Sequence, residues 1–201
     1  MTNNYKYNFS YTGFSLRLAE TIKVAIARIE NADLDAVLEI GGGKTATTKK
    51  FLNEINKRLS QLNTIQLDLL IDGDLTTQKQ IAFLAVCKAH YFIRDFVVEV
   101  IREKTLLFDY NLSEGDYITF FRNKTELHPE MDNYTENTIQ KIRNVSFRIL
   151  EEAGIIDDVK NKAIQPQLMD QKTRTAIATD NPNYLKLFLM SDLDILNLTK
   201  N

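Results

Sequence analysis

The chain has 201 residues, 25 of them Lys or Arg against 27 Asp or Glu, for a net charge of −2. A global positive field that coats nucleic acid is thereby excluded, and any such surface has to be a local patch. The one cysteine, Cys87, excludes an internal disulfide and fits a reducing cytoplasmic setting. Two histidines far from it in sequence supply no zinc ligand set, and no metal or cofactor is implied.

Only 7 Gly and 3 Pro occur, most of them between apolar-periodic segments, which favours helices joined by short turns. Met1 to Tyr5 lacks the apolar core of a signal peptide. Leu16, Ala19, Ile22, Ala25, Ile26 and Ile29 recur at helical spacing and predict a helix from Ser15 to Glu30, capped by Ser15. A short helix is expected after Asp33, through Val37 and Leu38, before Gly41-Gly42-Gly43 breaks the chain. From near Ala46 to about Leu62, Phe51, Leu52, Ile55, Leu59 and Leu62 form one apolar stripe, with Lys49, Lys50, Asn53 and Lys57 away from it. Thr64 is placed to cap a short helix through Ile71.

The longest predicted helix starts at Thr76 or Thr77 and runs to about Leu107. It is apolar almost all round, as a buried central element would be. Lys88, Asp95, Glu99 and Arg102 form one narrow polar strip on it, read as a solvated edge. Its most hydrophobic part, Ile81 to Ile101, contains Lys88, His90, Arg94, Asp95 and Glu99. A membrane span there would place charges in hydrocarbon at roughly 2.5–3.5 kcal/mol each, so a transmembrane reading is rejected.

Ser113 and Asp116 have the spacing of a helix cap with a carboxylate at the third position. His128-Pro129-Glu130 is a break. Thr135 caps a further helix through Leu150, which Gly154 ends. Ile155-Ile156 and Ala163 to Pro166 then read as two short strands around the polar turn Asp157 to Lys162. Helix, turn, helix and hairpin is the order of a winged-helix module. A last helix is expected from Asp170 to Ala178, then a turn at Asn181-Pro182 and a docking apolar stretch from Tyr184 to Met190.

Gly41-Gly42-Gly43-Lys44-Thr45 imitates a phosphate-binding P-loop. The first glycine of that motif would fall at Leu38, and no alternating strand-helix series surrounds it, so nucleotide hydrolysis is not supported. The same residues suit simpler phosphate contacts. Thr45, Thr47 and Thr48 sit where a helix starts, and Lys44, Lys49, Lys50, Lys57 and Arg58 face one acid, Glu54. A second basic cluster is Lys160, Lys162, Lys172 and Arg174, in and after the expected wing. A third is Lys141, Arg143 and Arg148 on the helix before it. Each cluster also fits an ordinary solvated face. His90, Tyr91, Phe92 and Arg94 have base-stacking chemistry, but their place in a buried helix favours a core role. Cys87 lacks a nearby base and reads as a small core residue. No nucleophile-base-acid arrangement or paired-carboxylate site stands out.

The residues resemble the BrxA family, an accessory component of BREX bacteriophage-exclusion systems. The resemblance runs in order through Tyr11-Thr12-Gly13, Lys44 to Lys50, Glu54-Ile55, Arg58-Leu59 and Leu69 to Asp74. It is most extensive from Leu84 to Glu103, and continues through His128-Pro129-Glu130, Leu150 to Ile156 and Ile164-Gln165-Pro166. It implies a helical protein without catalytic activity, likened to the RNA-binding antitermination factor NusB and associated with DNA binding. It supplies no catalytic residues.

The expectation is therefore an all-α, multi-helix bundle, NusB-like or helix-turn-helix-like, with a small C-terminal β-hairpin. Residues 1–201 form a single family domain, divisible into 1–108 and a winged-helix-like 109–201. The expected function is non-enzymatic binding of nucleic acid, double-stranded DNA before RNA, with other BREX proteins as further partners and no membrane. The alternatives are a bridging subunit that contacts only defence proteins, and a degenerate nucleotide-binding protein.

Overall fold

Local capping chemistry sets most helix starts in this chain. The computed structural model describes residues 5–32 and 45–199. The expected short helix after Asp33, the glycine run and Lys44 lie outside them. The described helices are α1 (Leu18–Ile29), α2 (Thr45–Leu59), α3 (Thr64–Asp72), α4 (Leu75–Ala89), α5 (Tyr91–Phe96), α6 (Arg102–Leu106), α7 (Glu114–Leu127), α8 (Glu136–Glu152), α9 (Gln171–Asp180) and α10 (Asp192–Thr199). Side chains of Asn63, Asp74, Ser113, Thr135 and Asp170 each accept a backbone N–H in the first turn of α3, α4, α7, α8 and α9. Asn63 with Gln66, and Ser113 with Asp116, complete reciprocal capping boxes. Gly154 follows α8 at φ +76, a conformation that costs an L side chain about 1–2 kcal/mol. Between α3 and α4 the backbone closes so tightly that a Cβ on Gly73 would lie 2.4 Å from the Leu69 carbonyl oxygen.

The start of α1 departs from the sequence reading. Ser15 does not cap it. Arg17 stands at the cap position in the left-handed region, φ 51 and ψ 51, and the Leu16 N–H donates to Glu152 at 2.7 Å. No side chain caps α1, and Glu152 of α8 instead holds the chain just before it.

The predicted central helix exists but is broken. α4 ends where His90 turns extended, at φ −134 and ψ 91, and α5 begins at the next residue. A π-helical turn, Val97–Ile101, then separates α5 from α6. Every residue from Ile81 to Cys87 is at most 2% exposed, so α4 is the buried axis, and α1, α2 and α3 pack on it. Buried residues on both sides of residue 108 belong to one continuous hydrophobic cluster. Its centre is aromatic: Phe92, Phe96, Tyr117, Phe120 and Phe147 meet edge-on or tilted, with Tyr7 and Phe9 closing one side.

The polar strip on this run is not a solvated edge. Lys88 pairs with Asp180 at 2.8 Å, Glu99 with Lys124 at 2.6 Å and Arg102 with Asp192 at 2.8 Å. Asp95 accepts from the hydroxyls of Tyr5 and Tyr7 and from Arg94. The strip is where both ends of the described chain dock. A buried charge needs such partners, and all of them but Arg94 lie well away in sequence.

The all-α class holds, and regular strands of the expected β-hairpin are not shown. Among the described residues only two isolated antiparallel bridges occur, Ile156 with Ile164 and Asn111 with Ala163. Asp157 binds the Asn161 side chain at 2.5 Å and the Ala163 amide at 2.8 Å, while Asp158 takes the Lys160 and Asn161 amides. These bonds wind residues 157–162 into a compact turn, as expected, and the flanking segments pair only through the Asp157 amide to the Ala163 carbonyl and the Gln165 amide to the Ile155 carbonyl. The segment from Tyr184 to Met190 docks as expected. Leu185, Leu187 and Phe188 of a 3-10 turn, Pro182–Phe188, are buried, and α10 follows. Among the described residues no helix is long and apolar enough to cross a membrane.

Candidate nucleic-acid interface

α2 presents its apolar stripe inward, with Phe51, Leu52, Ile55 and Leu59 buried, and leaves Thr47, Lys49 and Lys50 exposed and Thr48 half-buried. Thr45 opens the helix. Arg58 is a correction to the sequence reading. It is 1% exposed, binds Glu54 at 2.8 Å and donates to the carbonyls of Ser15 at 2.7 Å and Phe14 at 3.1 Å. It is unavailable to a phosphate and instead fixes the chain that leads into α1. Lys57 is half-buried beside Ser10, at 3.4 Å, and burial lowers its pKa.

Glu54 is the centre of this buried network. His90 Nε2 lies 2.5 Å from it, and the Ser10 hydroxyl donates to it at 2.8 Å. Burial alone would raise its pKa. The His90 hydrogen bond and charge, the Arg58 charge and the Ser10 bond prevail and hold it at about 2. An ionised carboxylate only accepts, so Nε2 carries the His90 proton. Burial, aided by Lys57 and Arg58, pushes His90 down against the pull of Glu54.

The other clusters are partly neutralised. Arg143 at 2.8 Å and Lys162 at 3.2 Å share the Glu114 carboxylate, and Lys162 also lies over the Phe147 ring. The wing and α8 clusters therefore meet, but around an acid. Lys160 and Lys172 are exposed, whereas half-buried Arg174 donates to the Met169 carbonyl at 3.0 Å. Lys141 and Arg148 differ by seven positions, nearly two full turns, so they share one exposed face of α8.

Two cations that sequence reasoning missed join α2 to α8. The Arg17 guanidinium lies 5.9 Å from the centre of the Phe51 ring, next in sequence to Lys49 and Lys50. Arg17 also lines an open pocket of about 570 Å³ together with Lys79 of α4 and with Arg148 and Glu152 of α8. Neither cation carries a sequence signal. Lys79 lies within an apolar helix, and Arg17 precedes one.

These features define a class: a helical protein whose charges are mostly engaged in buried or local pairs, with exposed cations remaining on α2, at Arg17 and on α8. The chain belongs to the BrxA family of BREX systems, because the family model described as BrxA matches residues 5–181. The resemblance drawn from the sequence is thereby confirmed. The chain is 24% identical to a BREX protein BrxA of Escherichia coli O9:H4 (strain HS) and 27% identical to one of Bacillus cereus (strain H3081.97). These matches cover 65% and 61% of this chain, and 62% of the length of each relative. A BREX protein BrxA of Paramagnetospirillum magneticum (strain ATCC 700264 / AMB-1) is 21% identical over 90% of this chain and 94% of its own. A crystal structure of an uncharacterized protein from Magnetospirillum magneticum shares the fold, with a TM-score of 0.77 at 20% identity over 92% of this chain and 99% of that one.

Proposed function

We propose that the chain serves BREX defence by binding nucleic acid, duplex DNA before RNA, through backbone phosphates. The carrying observation is Arg17, which packs on Phe51 of α2 and lines the same pocket as Arg148 of α8. It touches one of two exposed basic segments that lie far apart in sequence and lines a pocket with a residue of the other. Lys49, Lys50, Thr47, Lys141 and Arg148 are the contacts this reading favours. Lys160, Lys162, Lys172 and Arg143 are secondary because two of them share an acid. Phosphate contacts position a protein without reading bases, so binding is broad in sequence.

Replacing Lys49 and Lys50 together by Ala tests this. Each lost phosphate contact makes the log-affinity against log-salt slope shallower by about 0.9 on duplex DNA. The double variant is expected to weaken binding to unrelated duplexes alike and to flatten the slope by nearly two such increments. It should melt like the parent, since both side chains are exposed and Ala favours helix. An unchanged slope removes these lysines from the interface.

A bridging role between defence proteins is the second reading. Leu107 and Phe108, 78% and 82% exposed after α6, support it, since adjacent exposed apolar side chains commonly mark protein contacts.

A further inference from the structure

Of three buried polar side-chain atoms left without a partner among the described residues, two belong to the wall of one cavity. The cavity, of about 400 Å³, lies where the first turns of α4 and α9 meet the segment that leads into α9. Gln80 of α4 is 3% exposed. Its Nε2 donates to the Leu168 carbonyl at 2.8 Å, which fixes the amide, and its Oε1 accepts from nothing. Arg174 of α9 donates through Nη2 to the Met169 carbonyl at 3.0 Å, while its buried Nε finds no acceptor. Buried polar atoms are nearly always paired, so an orphaned acceptor and an orphaned donor beside one cavity point to a ligand that completes both.

The two orphans select its chemistry. An anion would bring Gln80 Oε1 no donor and would meet Asp74 and Asp170, which also line the cavity. A cation would bring Arg174 Nε no acceptor and would meet the guanidinium charge. A neutral group with an N–H beside an acceptor satisfies both, and the edge of a nucleobase is such a group. Asp170 is already engaged by the Thr173 amide and hydroxyl and by the Thr77 hydroxyl. Asp74 accepts the Thr77 amide through Oδ1 alone, which leaves Oδ2 open. Gln80 Oε1 and Asp74 Oδ2 together match the two N–H bonds of an exocyclic amino group. Leu168, 81% exposed, and half-buried Met169 line the same cavity and supply an apolar face for a flat ring.

We propose that this cavity seats an unpaired nucleobase with an exocyclic amino group. The amino group donates to Gln80 Oε1, and a ring nitrogen or carbonyl of the base accepts from Arg174 Nε. Inside a duplex that edge is taken by the complementary base, so the ligand is a single-stranded or free base. Its source is a nucleic-acid strand or a free nucleoside. The strand source rests on the nucleic-acid reading above; the hydrogen bonding in the cavity does not.

NMR titration of the full chain with cytidine, N4,N4-dimethylcytidine and thymidine tests the proposal. Cytidine is expected to bind. The dimethylated base keeps the ring but loses both amino N–H bonds, and thymidine has a carbonyl in that place; each is expected to bind about tenfold more weakly. Gln80→Met removes the orphaned acceptor and should abolish the preference, with a thermal melt checking the fold. Arg174→Lys keeps the charge without Nε and should weaken cytidine about tenfold, whereas a purely electrostatic role leaves affinity unchanged. That variant, at a half-buried position, decides the matter if Gln80→Met does not fold. No binding of cytidine, equal binding of cytidine and its dimethyl form, a preference that survives in folded Gln80→Met, or unchanged affinity in Arg174→Lys overturns the proposal. Binding of N-methylacetamide where no nucleoside binds assigns the cavity to a peptide group and overturns it as well. A single-stranded deoxycytidine oligonucleotide that outbinds an abasic strand of equal length assigns the strand, and equal binding beside bound cytidine assigns the free nucleoside. Nucleosides carry no phosphate, so their binding is read apart from the salt slope of the Lys49→Ala/Lys50→Ala variant, and failure of the duplex interface is distinct from failure of this cavity.

Discussion

Glu54 ties three parts of the molecule together through one carboxylate: Ser10 of the N-terminal segment, Arg58 of α2 and His90 at the end of α4. Its pKa is held at about 2, below the ordinary 4.5, and that of His90 lies below the ordinary 6.5. Both shifts are depressions, so in each case the unfolded chain takes up protons first. The stability they confer is present above the unfolded values and is lost as pH falls. The loss should begin below about pH 6.5 through His90 and deepen between about 4.5 and 2 through Glu54. Glu54→Gln leaves the buried Arg58 without its counter-charge and should cost about 3–5 kcal/mol in urea unfolding. It should also flatten the fall in stability below pH 4.5. A variant as stable as the parent, with the parent's acid profile, would show that Glu54 is not the acid-labile link. The spacing of Glu54 and Arg58 was visible in the sequence, but their burial was not. Three backbone carbonyls from residues 14 to 16 take up the guanidinium, and nothing in α2 itself announces them.

At the level of elements, starts and stops written in neighbouring residues were readable to within a few positions, with Asn63 and Asp74 capping α3 and α4 where Thr64 and Thr76 or Thr77 were expected to begin them. Ser113, Thr135, Asp170 and Gly154 each act within a turn of their own helix, where short-range hydrogen bonding and φ preference decide. Features imposed from a distance were not readable: the break at His90, the π turn and the left-handed Arg17. Asp170 stands between the two kinds. It caps α9 through the Thr173 amide at 3.0 Å, and its second oxygen also receives the hydroxyls of Thr173 and Thr77, the latter from α4. Asp170→Ala should therefore lower stability by about 1–2 kcal/mol, toward the upper end for a lost cap. Asp170→Asn, which keeps the acceptor for the amide, should recover part of that loss. Thermal melts of the two variants beside the parent measure the difference.

Over the whole molecule, the two stretches divided at residue 108 in the sequence reading contribute to one hydrophobic cluster, and α4 runs through it. Far-UV circular dichroism and the fluorescence of the 8 tyrosines, undisturbed by tryptophan, should report the same unfolding midpoint in urea. Two separated transitions would mean that the stretches fold as independent units. The candidate interface was legible only in part for the same architectural reason. Lys49, Lys50, Lys141 and Arg148 could be picked out, but Arg17, which touches Phe51 of α2 and lines a pocket with Arg148 of α8, could not. The π turn between α5 and α6 acts on this scale as well. In an uninterrupted α-helix Asp95 and Arg102, seven positions apart, would stand in one row. A π turn holds one residue more than an α turn and throws the later residues out of phase. Asp95 is thus free to accept from Tyr7, while Arg102 donates to Asp192. A single supernumerary residue keeps the two extremities from competing for one helix face.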